Sequence, residues 1–390
     1  MLPDGWKISK LGEIARITTG STPTTTNESF YNGDILFITP ADLGDNKYVT
    51  QTERTLSLLG AECTRLIPKY SVLFSCIGTI GKTGINTKDA ATNQQINSIF
   101  PNTHNNSDFI YYSLILNKPS INTLAGKQAV PIINKKTFSN VSILLPPLPE
   151  QKKIAAILST WDRAIEGTEK LLANSQQQKK ALMQQLLTGK KRLPGFTGEW
   201  KNYKLYEVGN ITTGNTPSTK DESLYGEKFL FITPVDLGNC KYVKKSERML
   251  SEKGASISRM IPAGSIFFSC IGTIGKMGIA TRDCITNQQI NAIEVKENYN
   301  NEFIYYQIFS NKEQMDKLTA KQAVPIINKK TFSNFIISSP SLPEQKAIAA
   351  VLTTADEEIT SIESDLSHLR QEKKALMQQL LTGKRRVTVD

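Results

Sequence analysis

KQAVPIINKKTFSN, residues 127–140, stands again letter for letter at residues 321–334. The separation is 194 residues, and it holds outward in both directions. Ile17-Thr18-Thr19-Gly20 returns as Ile211-Thr212-Thr213-Gly214, and Phe37-Ile38-Thr39-Pro40 as Phe231-Ile232-Thr233-Pro234. The run Phe74 to Lys82 returns whole at Phe268 to Lys276, and Leu148-Pro149-Glu150-Gln151 at Leu342-Pro343-Glu344-Gln345. An offset that never drifts means two copies of one unit with no net insertion. The period is far longer than the roughly 20–50 residues of a solenoid, so each copy is a domain with an appendage.

Composition narrows the class. Hydrophobic residues make up 39% of the 390, enough for real cores. No apolar stretch approaches the ~20 residues that span a bilayer, and MLPDGWKISK carries no signal-peptide core. The expectation is a cytoplasmic protein with no membrane contact. Five cysteines without a CxxC pair fit a reducing compartment and read as small buried hydrophobes. The net charge of +11 attracts polyanions, nucleic acid first. Two like units give an internal pseudo-twofold, which suits a roughly twofold target such as duplex DNA.

Each copy has two parts. The first mixes short apolar runs with Gly, Pro, Asn and Thr. Ile35 to Ile38, Ser71 to Phe74 and Val141 to Leu145 read as strands. Phe109 to Leu116 and its partner Phe303 to Phe309 read as helices. The second part, from Glu150 to Leu187, has no Pro and only Gly167. Pro149 suits a helix start and Gly189 a helix end. Ile154, Leu158, Trp161, Ile165, Leu172, Leu182 and Leu186 alternate steps of 3 and 4, with Thr168, Ser175 and Lys179 in the weak places. The second copy presents Ile348, Leu352, Ala355, Ile359, Ile362, Leu366, Leu369, Leu376 and Leu380, broken by Lys373. These are heptad seams. Each helix spans on the order of 55 Å, too long to hide its stripe inside one domain of its copy. The two stripes are expected to bury each other, antiparallel.

Chemistry is thinly supported. Cys76-Ile-Gly-Thr-Ile-Gly-Lys-Thr83 looks like a phosphate loop but lacks the first Gly, and Met277 stands where Ser or Thr would hold magnesium. It reads instead as a Gly-rich turn with Lys82 and Lys276 at an exposed tip. His104 and His368 have no counterparts in the other copy, which argues against a repeated triad or metal site. No dinucleotide fingerprint follows a strand, and no amino-methyltransferase motif is present. No metal site and no catalytic residue are therefore expected. What repeats is polar. The DNA-binding candidates are Thr19, Ser21 and Thr22, with Lys82, then Asn93, Gln94 and Gln95, then Lys127, Gln128, Asn134, Lys135 and Lys136. Their counterparts are Thr213, Asn215 and Thr216, with Lys276, then Asn287, Gln288 and Gln289, then Lys321, Gln322, Asn328, Lys329 and Lys330. Gln and Asn can bond adenine in a bidentate way, while Lys and Ser/Thr suit guanine or phosphate. The region 101–126 has diverged from 295–320 while the flanking polar blocks have not, which points to a shared task for the blocks.

Together these pieces resemble the specificity subunit of a type I restriction-modification system. The resemblance rests on the ITTG-TP opening, the FITP-DLG block, the Gly-Thr-Ile-Gly-Lys turn, LPEQ-K-IAAIL at the helix start and KKALMQQLLTGK at 179–190 and 373–384. It implies an α+β fold in which two similar α/β target-recognition domains are separated by two long helices forming an antiparallel coiled coil. The implied division is recognition domains at 1–148 and 193–342, and spacer helices at 149–192 and 343–386. It further implies double-stranded DNA as target, each domain reading half of a bipartite site, and two modification subunits docked on the helices. Restriction subunits would join them. S-adenosylmethionine, ATP and magnesium would belong to those partners and no cofactor to this chain. The two domains here are closer relatives than is usual in that family. Two other readings stay open: a coiled-coil scaffold for proteins, and part of a fused methyltransferase or nuclease.

Overall fold

The computed structural model describes residues 2–44, 46–126, 129–238, 240–317 and 325–389. The first repeat carries strands β1 (Lys7–Lys10), β2 (Ala15–Thr19), β3 (Tyr31–Ile38), β4 (Tyr48–Val49), β5 (Arg54–Leu56) and β6 (Leu66–Ile67). They continue as β7 (Val72–Ser75), β8 (Thr83–Asn86), β9 (Ala90–Thr92), β10 (Ile96–Pro101) and β11 (Ser142–Leu145). Every one recurs in the second repeat with both bounds 194 residues later, from Lys201–Lys204 to Ile336–Ser339.

Two sheets and a ribbon result. One sheet has the order β2-β10-β7-β8-β4, antiparallel except where β4 meets β8. The other has the order β5-β3-β9-β6, with β3 and β9 parallel. The ribbon pairs β1 with β11 antiparallel. The period-2 alternation of β7 shows why a strand with no polar face forms here. Val72 and Phe74 face the core shared with the helix Ser107–Asn122, while Leu73 faces the core between the sheets with Leu36, Ile38 and Ile67. A strand covered on both faces reads as a continuous apolar run. Phe74 stacks on Phe138 at 5.0 Å, and Phe268 on Phe332 at 4.6 Å.

The expected long helices are Leu148–Leu186 and Leu342–Leu380, each of 39 residues. Gly189 and Gly383 follow their ends at φ of 67° and 70°, the left-handed conformation that glycine adopts without strain. Contacts group the chain into two compact units, Met1–Glu169 with Ser364–Asp390, and Lys170–Glu363. The division expected at 148, 192 and 342 follows chain order. The compact units cut across it, because each takes part of both long helices.

Within each unit the helices run antiparallel. In the first, Lys373 pairs with Asp162, and Arg370 with Glu169 at 2.7 Å. In the second, Lys179 pairs with Asp356, and Ser175 Oγ donates to Glu358 at 3.2 Å. As the number rises on one helix it falls on the other. Two expectations need correction here. Ser175, Lys179 and Lys373 are not slack in the seam; they are its polar contacts, and Ser175 is buried. The stripes also do not bury each other along their whole length. Ile154, Leu158 and Leu380, with Leu376 partly buried beside them, lie in the core of the first unit, and Leu186, Ile348 and Leu352, with Leu182, in that of the second. Ile362 and Leu366 are buried. Trp161, Ile165, Leu172, Ala355, Ile359 and Leu369 are half-buried, since a helix pair covers less than a domain does.

Gln151 shows how a helix start is welded to its domain. Its amide Nε2 donates to Pro146 O at 2.9 Å, and its Oε1 accepts from Asn106 N at 2.9 Å. Asn106 itself caps the helix Ser107–Asn122. Gln345 repeats both bonds with Pro340 and Asn300 at 2.9 Å. Replacing Gln151 with Ala leaves a buried donor and acceptor unpaired and is expected to cost about 1–3 kcal/mol. Urea unfolding should show the loss as a lower midpoint at unchanged slope, and Gln345→Ala should do the same. An unchanged midpoint would mean that water replaces the amide.

Candidate nucleic-acid interface

The repeated polar blocks converge because strand ends deliver them to one place. β2 ends at Thr19, β7 runs into Cys76, and β9 and β10 are joined by Asn93-Gln94-Gln95. Thr19 Oγ1 donates to Asn97 Oδ1 at 2.7 Å, and Asn97 Nδ2 donates onward to Cys76 Sγ at 3.1 Å. Cys76 N donates to Gln95 O at 2.7 Å. Gly78 N donates to Pro131 O at 3.0 Å and Ile133 N to Cys76 O at 2.9 Å, which brings in the loop before Asn134. Gly20 lies where a Cβ would come 2.1 Å from Thr92 O, and Gly214 has the same distance to Thr286 O. Only glycine allows that approach.

The amide side chains are held by their neighbours. Thr22 Oγ1 donates to Gln94 Oε1 at 2.6 Å, and Thr216 bonds Gln288 in the same way. Asn93 Nδ2 donates to Gln95 Oε1 at 2.9 Å, and Asn287 to Gln289 at 2.8 Å. Thr22, Gln94, Thr216 and Gln288 are exposed; Thr19, Ser21, Asn93, Gln95, Thr213, Asn215 and Gln289 are half-buried, and Asn287 is buried. Ser21 N donates to Thr92 O at 2.9 Å and Asn215 N to Thr286 O at 3.0 Å. Asn215 Oδ1 also accepts from Arg259 N at 3.0 Å.

Asn134 and Asn328 serve as N-caps, accepting from Thr137 N at 2.9 Å and Thr331 N at 2.8 Å. They open the short helices Lys135–Ser139 and Lys329–Ser333, whose first turns carry Lys135, Lys136, Lys329 and Lys330, all exposed. Lys127, Gln128, Lys321 and Gln322 lie outside the described residues. Lys82 and Lys276 need correction: they are half-buried rather than at an exposed tip. The stem of Lys82 lies along Gly44, and Lys276 Nζ donates to Pro234 O at 3.1 Å. Thr79 and Thr273 are the exposed side chains of that turn.

Sequence reasoning misses Arg65 and Arg259. Each is exposed and donates from Nη1 to the carbonyl that opens the polar loop, Thr19 O at 2.7 Å and Thr213 O at 2.6 Å. A signal exists: both arginines keep the 194-residue offset. Burial pushes the Cys76 thiol up to about 12 and that of Cys270 to about 11, so neither offers a thiolate near neutral pH. Among the described residues no group of three or more His, Cys, Asp or Glu could hold a metal. Among them also, no helix is long and apolar enough to cross a membrane.

A polar chain links each domain to its helices. Lys47 Nζ donates to Tyr112 Oη at 3.3 Å and Ser159 Oγ at 2.7 Å; Tyr112 bonds Asp162, which pairs with Lys373. The second unit repeats it through Lys241, Tyr306, Thr353, Asp356 and Lys179. Burial first, and the neighbouring carboxylate second, raise both tyrosines well above the usual range, so they act as donors.

The family model described as "Type I restriction modification DNA specificity domain" matches residues 3–174 and again 197–369. The MjaVIII type I restriction enzyme specificity subunit of Methanocaldococcus jannaschii is 26% identical, covering 99% of this chain and 94% of that protein. The HindI specificity subunit of Haemophilus influenzae is 34% identical over 46% of this chain and 39% of its own. The type I restriction-modification S subunit of M. genitalium has the same fold at a TM-score of 0.67 and 14% identity, covering 98% of this chain and 97% of that one. A chain from a type I restriction-modification complex follows at a TM-score of 0.62 and 19% identity, covering 99% of this chain and 100% of its own. Two matched domains, each carrying the same polar loop cluster, place this chain in the type I restriction-modification DNA specificity family.

Proposed function

We propose that this chain is the non-catalytic, DNA-reading subunit of a cytoplasmic type I restriction-modification complex. The observation that carries the proposal is the polar loop cluster built twice at a constant offset, with the Thr19–Asn97, Thr22–Gln94, Asn93–Gln95 and Arg65–Thr19 bonds each repeated in the second copy. Each cluster presents amide and hydroxyl groups beside exposed lysines, the combination that serves base edges and phosphate. In this reading each domain contacts one half of a bipartite site on double-stranded DNA. The long helices set the distance between half-sites and dock two modification subunits, which restriction subunits join. S-adenosylmethionine, ATP and magnesium then act in those partners.

Like clusters should read like bases. The motif methylated in cells that carry this gene should be an interrupted near-palindrome with similar, inverted half-sites. Methylome sequencing with and without the gene checks this; two unrelated half-sites would assign specificity to the diverged segments instead. The purified chain with S-adenosylmethionine and that DNA should transfer no methyl groups until modification subunits are added. Transfer by the chain alone would refute the non-catalytic assignment.

Replacing Gln94 and Gln95 with Ala should relax discrimination by about 1–3 kcal/mol for each bidentate bond to a base that is removed. Lys135→Ala should instead weaken binding to all sequences and flatten the salt dependence, as removal of a phosphate partner does. Competition binding with the assembled complex separates the two effects. A glutamine variant with full discrimination would make that loop structural.

Helix length can be changed without disturbing the antiparallel pairs. Seven residues inserted after Asn174, and seven after Ser361 on the facing helix, add about 10 Å and keep the heptad faces. The methylated motif should keep its half-sites and gain a spacer of about three base pairs, at ~3.4 Å each. An active variant with its original spacer would show that something other than the helices sets the distance.

A further inference from the structure

Ile132 is an apolar side chain placed among the polar reading groups, and it is 41% exposed. Its counterpart Ile326 is 43% exposed, and Val130, two residues before Ile132, is 51% exposed. Sequence reasoning takes only the polar members of this loop as DNA contacts. The backbone shows that the exposure is built in. Ile77 and Ile132 form an antiparallel bridge, as do Ile271 and Ile326. Pro131 O and Ile133 N are tied to Gly78 and Cys76. In such an extended segment neighbouring side chains point to opposite sides. Ile133, at 2% exposure, goes into the core, so Ile132 goes out. Ile327 and Ile326 repeat the arrangement.

The surroundings indicate what covers this side chain. A Cβ on Gly78, one residue from the bridge, would lie 4.0 Å from Gln95 Nε2. Lys135 follows three residues later on the exposed first turn of the next helix. A surface that mixes a carboxamide, an ammonium and a branched apolar group matches the major-groove edge of a base pair. That edge offers hydrogen-bonding atoms beside one apolar feature, the C5 methyl of thymine. A β-branched side chain on a pinned strand loses little rotamer freedom when it is covered. We infer that Ile132 and Ile326 each read the C5 position of one pyrimidine in their half-site. The inference rests on the DNA-reading function proposed above and adds residues to it.

The test uses the complex assembled with its modification subunits. Each pyrimidine of the half-sites is changed one at a time at C5 only, thymine to uracil and cytosine to 5-methylcytosine. At one position in each half-site the change should alter Kd about fourfold, the worth of one buried methylene-sized group. Ile132→Ala should abolish the response in one half-site and Ile326→Ala in the other, each leaving its partner half-site untouched. Ile132→Thr keeps the branched shape and backbone preference, and it should lose the response as well, which guards against misfolding of the alanine variant. Responses identical in wild type and variants would overturn the assignment while leaving specific DNA binding intact. Loss of subunit assembly in Ile132→Thr would overturn it too, assigning the side chain to a protein contact. Absence of sequence-specific binding by the wild-type complex would refute the underlying function.

Discussion

A buried carboxylate cannot stay charged without a partner, and each unit is organised around one. Glu150 and Glu344, in the first turns of the long helices, are 5% and 1% exposed. Moving such a group out of water costs several kcal/mol unless a cation meets it. Arg386 meets Glu150 with Nε at 3.0 Å and Nη2 at 2.5 Å, and Arg192 meets Glu344 with both nitrogens at 2.6 Å. In each unit the arginine comes from just beyond the end of the other long helix. The fork geometry fixes angle as well as distance, which a lysine could not do. The helix start of one element and the helix end of the other are thereby locked in register within the unit. The tail after Leu380 is thus part of the first unit's structure, in the place that Lys190 to Leu193 fill in the second.

The two units solve the same packing problem with small differences, and these show what is essential. Trp6 Nε1 donates to Glu150 at 3.2 Å, while Trp200 Nε1 has no acceptor among the described residues and packs edge-on against Phe303 at 5.9 Å. The arginine clamp is kept and the indole bond is not. Gln307 Nε2 donates to Leu187 O at 2.7 Å, closing the end of the first long helix. Its counterpart Ser113 is too short to do so, and its buried hydroxyl has no partner among the described residues. A cleft lined by Ile8, Leu116, Ile143 and Leu381 opens beside it. The polar chain from Lys47 or Lys241 through tyrosine, hydroxyl and aspartate to a lysine of the facing helix survives in both. Fully satisfied networks of this kind specify one arrangement, since any slip along the helices would strand several buried groups at once.

The helices and the repeat are legible in the sequence because both are periodic signals. Pro149, Gly189 and the steps between Ile154 and Leu186 locate a helix without reference to anything else. The strands Ile35–Ile38 and Val141–Leu145 are legible as apolar runs, but their sheet order is not. β3 beside β9 and β4 beside β8 are long-range pairings chosen by packing on two faces, and no local pattern encodes them. The seam also hides its polar members. Ser175 and Lys373 look like interruptions in a heptad, since the sequence does not show that Glu358 and Asp162 stand opposite. The glycines around Lys82 suggest a tip, whereas its long stem folds back along Gly44. Arg65 escapes notice because it stands outside the identical blocks, and only folding brings it to Thr19.

The arginine brace at Thr19 bears on how such a domain could read DNA at all. The amides proposed to face the target are not loose side chains waiting for a partner. Gln94 is held by Thr22 and Gln95 by Asn93, and the loop bearing Thr22 is braced by Arg65 and by the close approach at Gly20. Fixing a glutamine in place costs side-chain entropy, and here that cost is met on folding instead of on binding. The same bonds orient each amide: Gln94 Oε1 and Gln95 Oε1 each accept one bond and keep a second lone pair, and each Nε2 remains a donor, so each amide still presents a donor beside an acceptor. In the proposed reading, a base edge that offers a donor beside an acceptor, such as N6 and N7 of adenine, suits that arrangement. In the proposed reading the threonine hydroxyl matters as much as the amide it holds, and the repeat keeps both partners, Thr22 with Gln94 and Thr216 with Gln288.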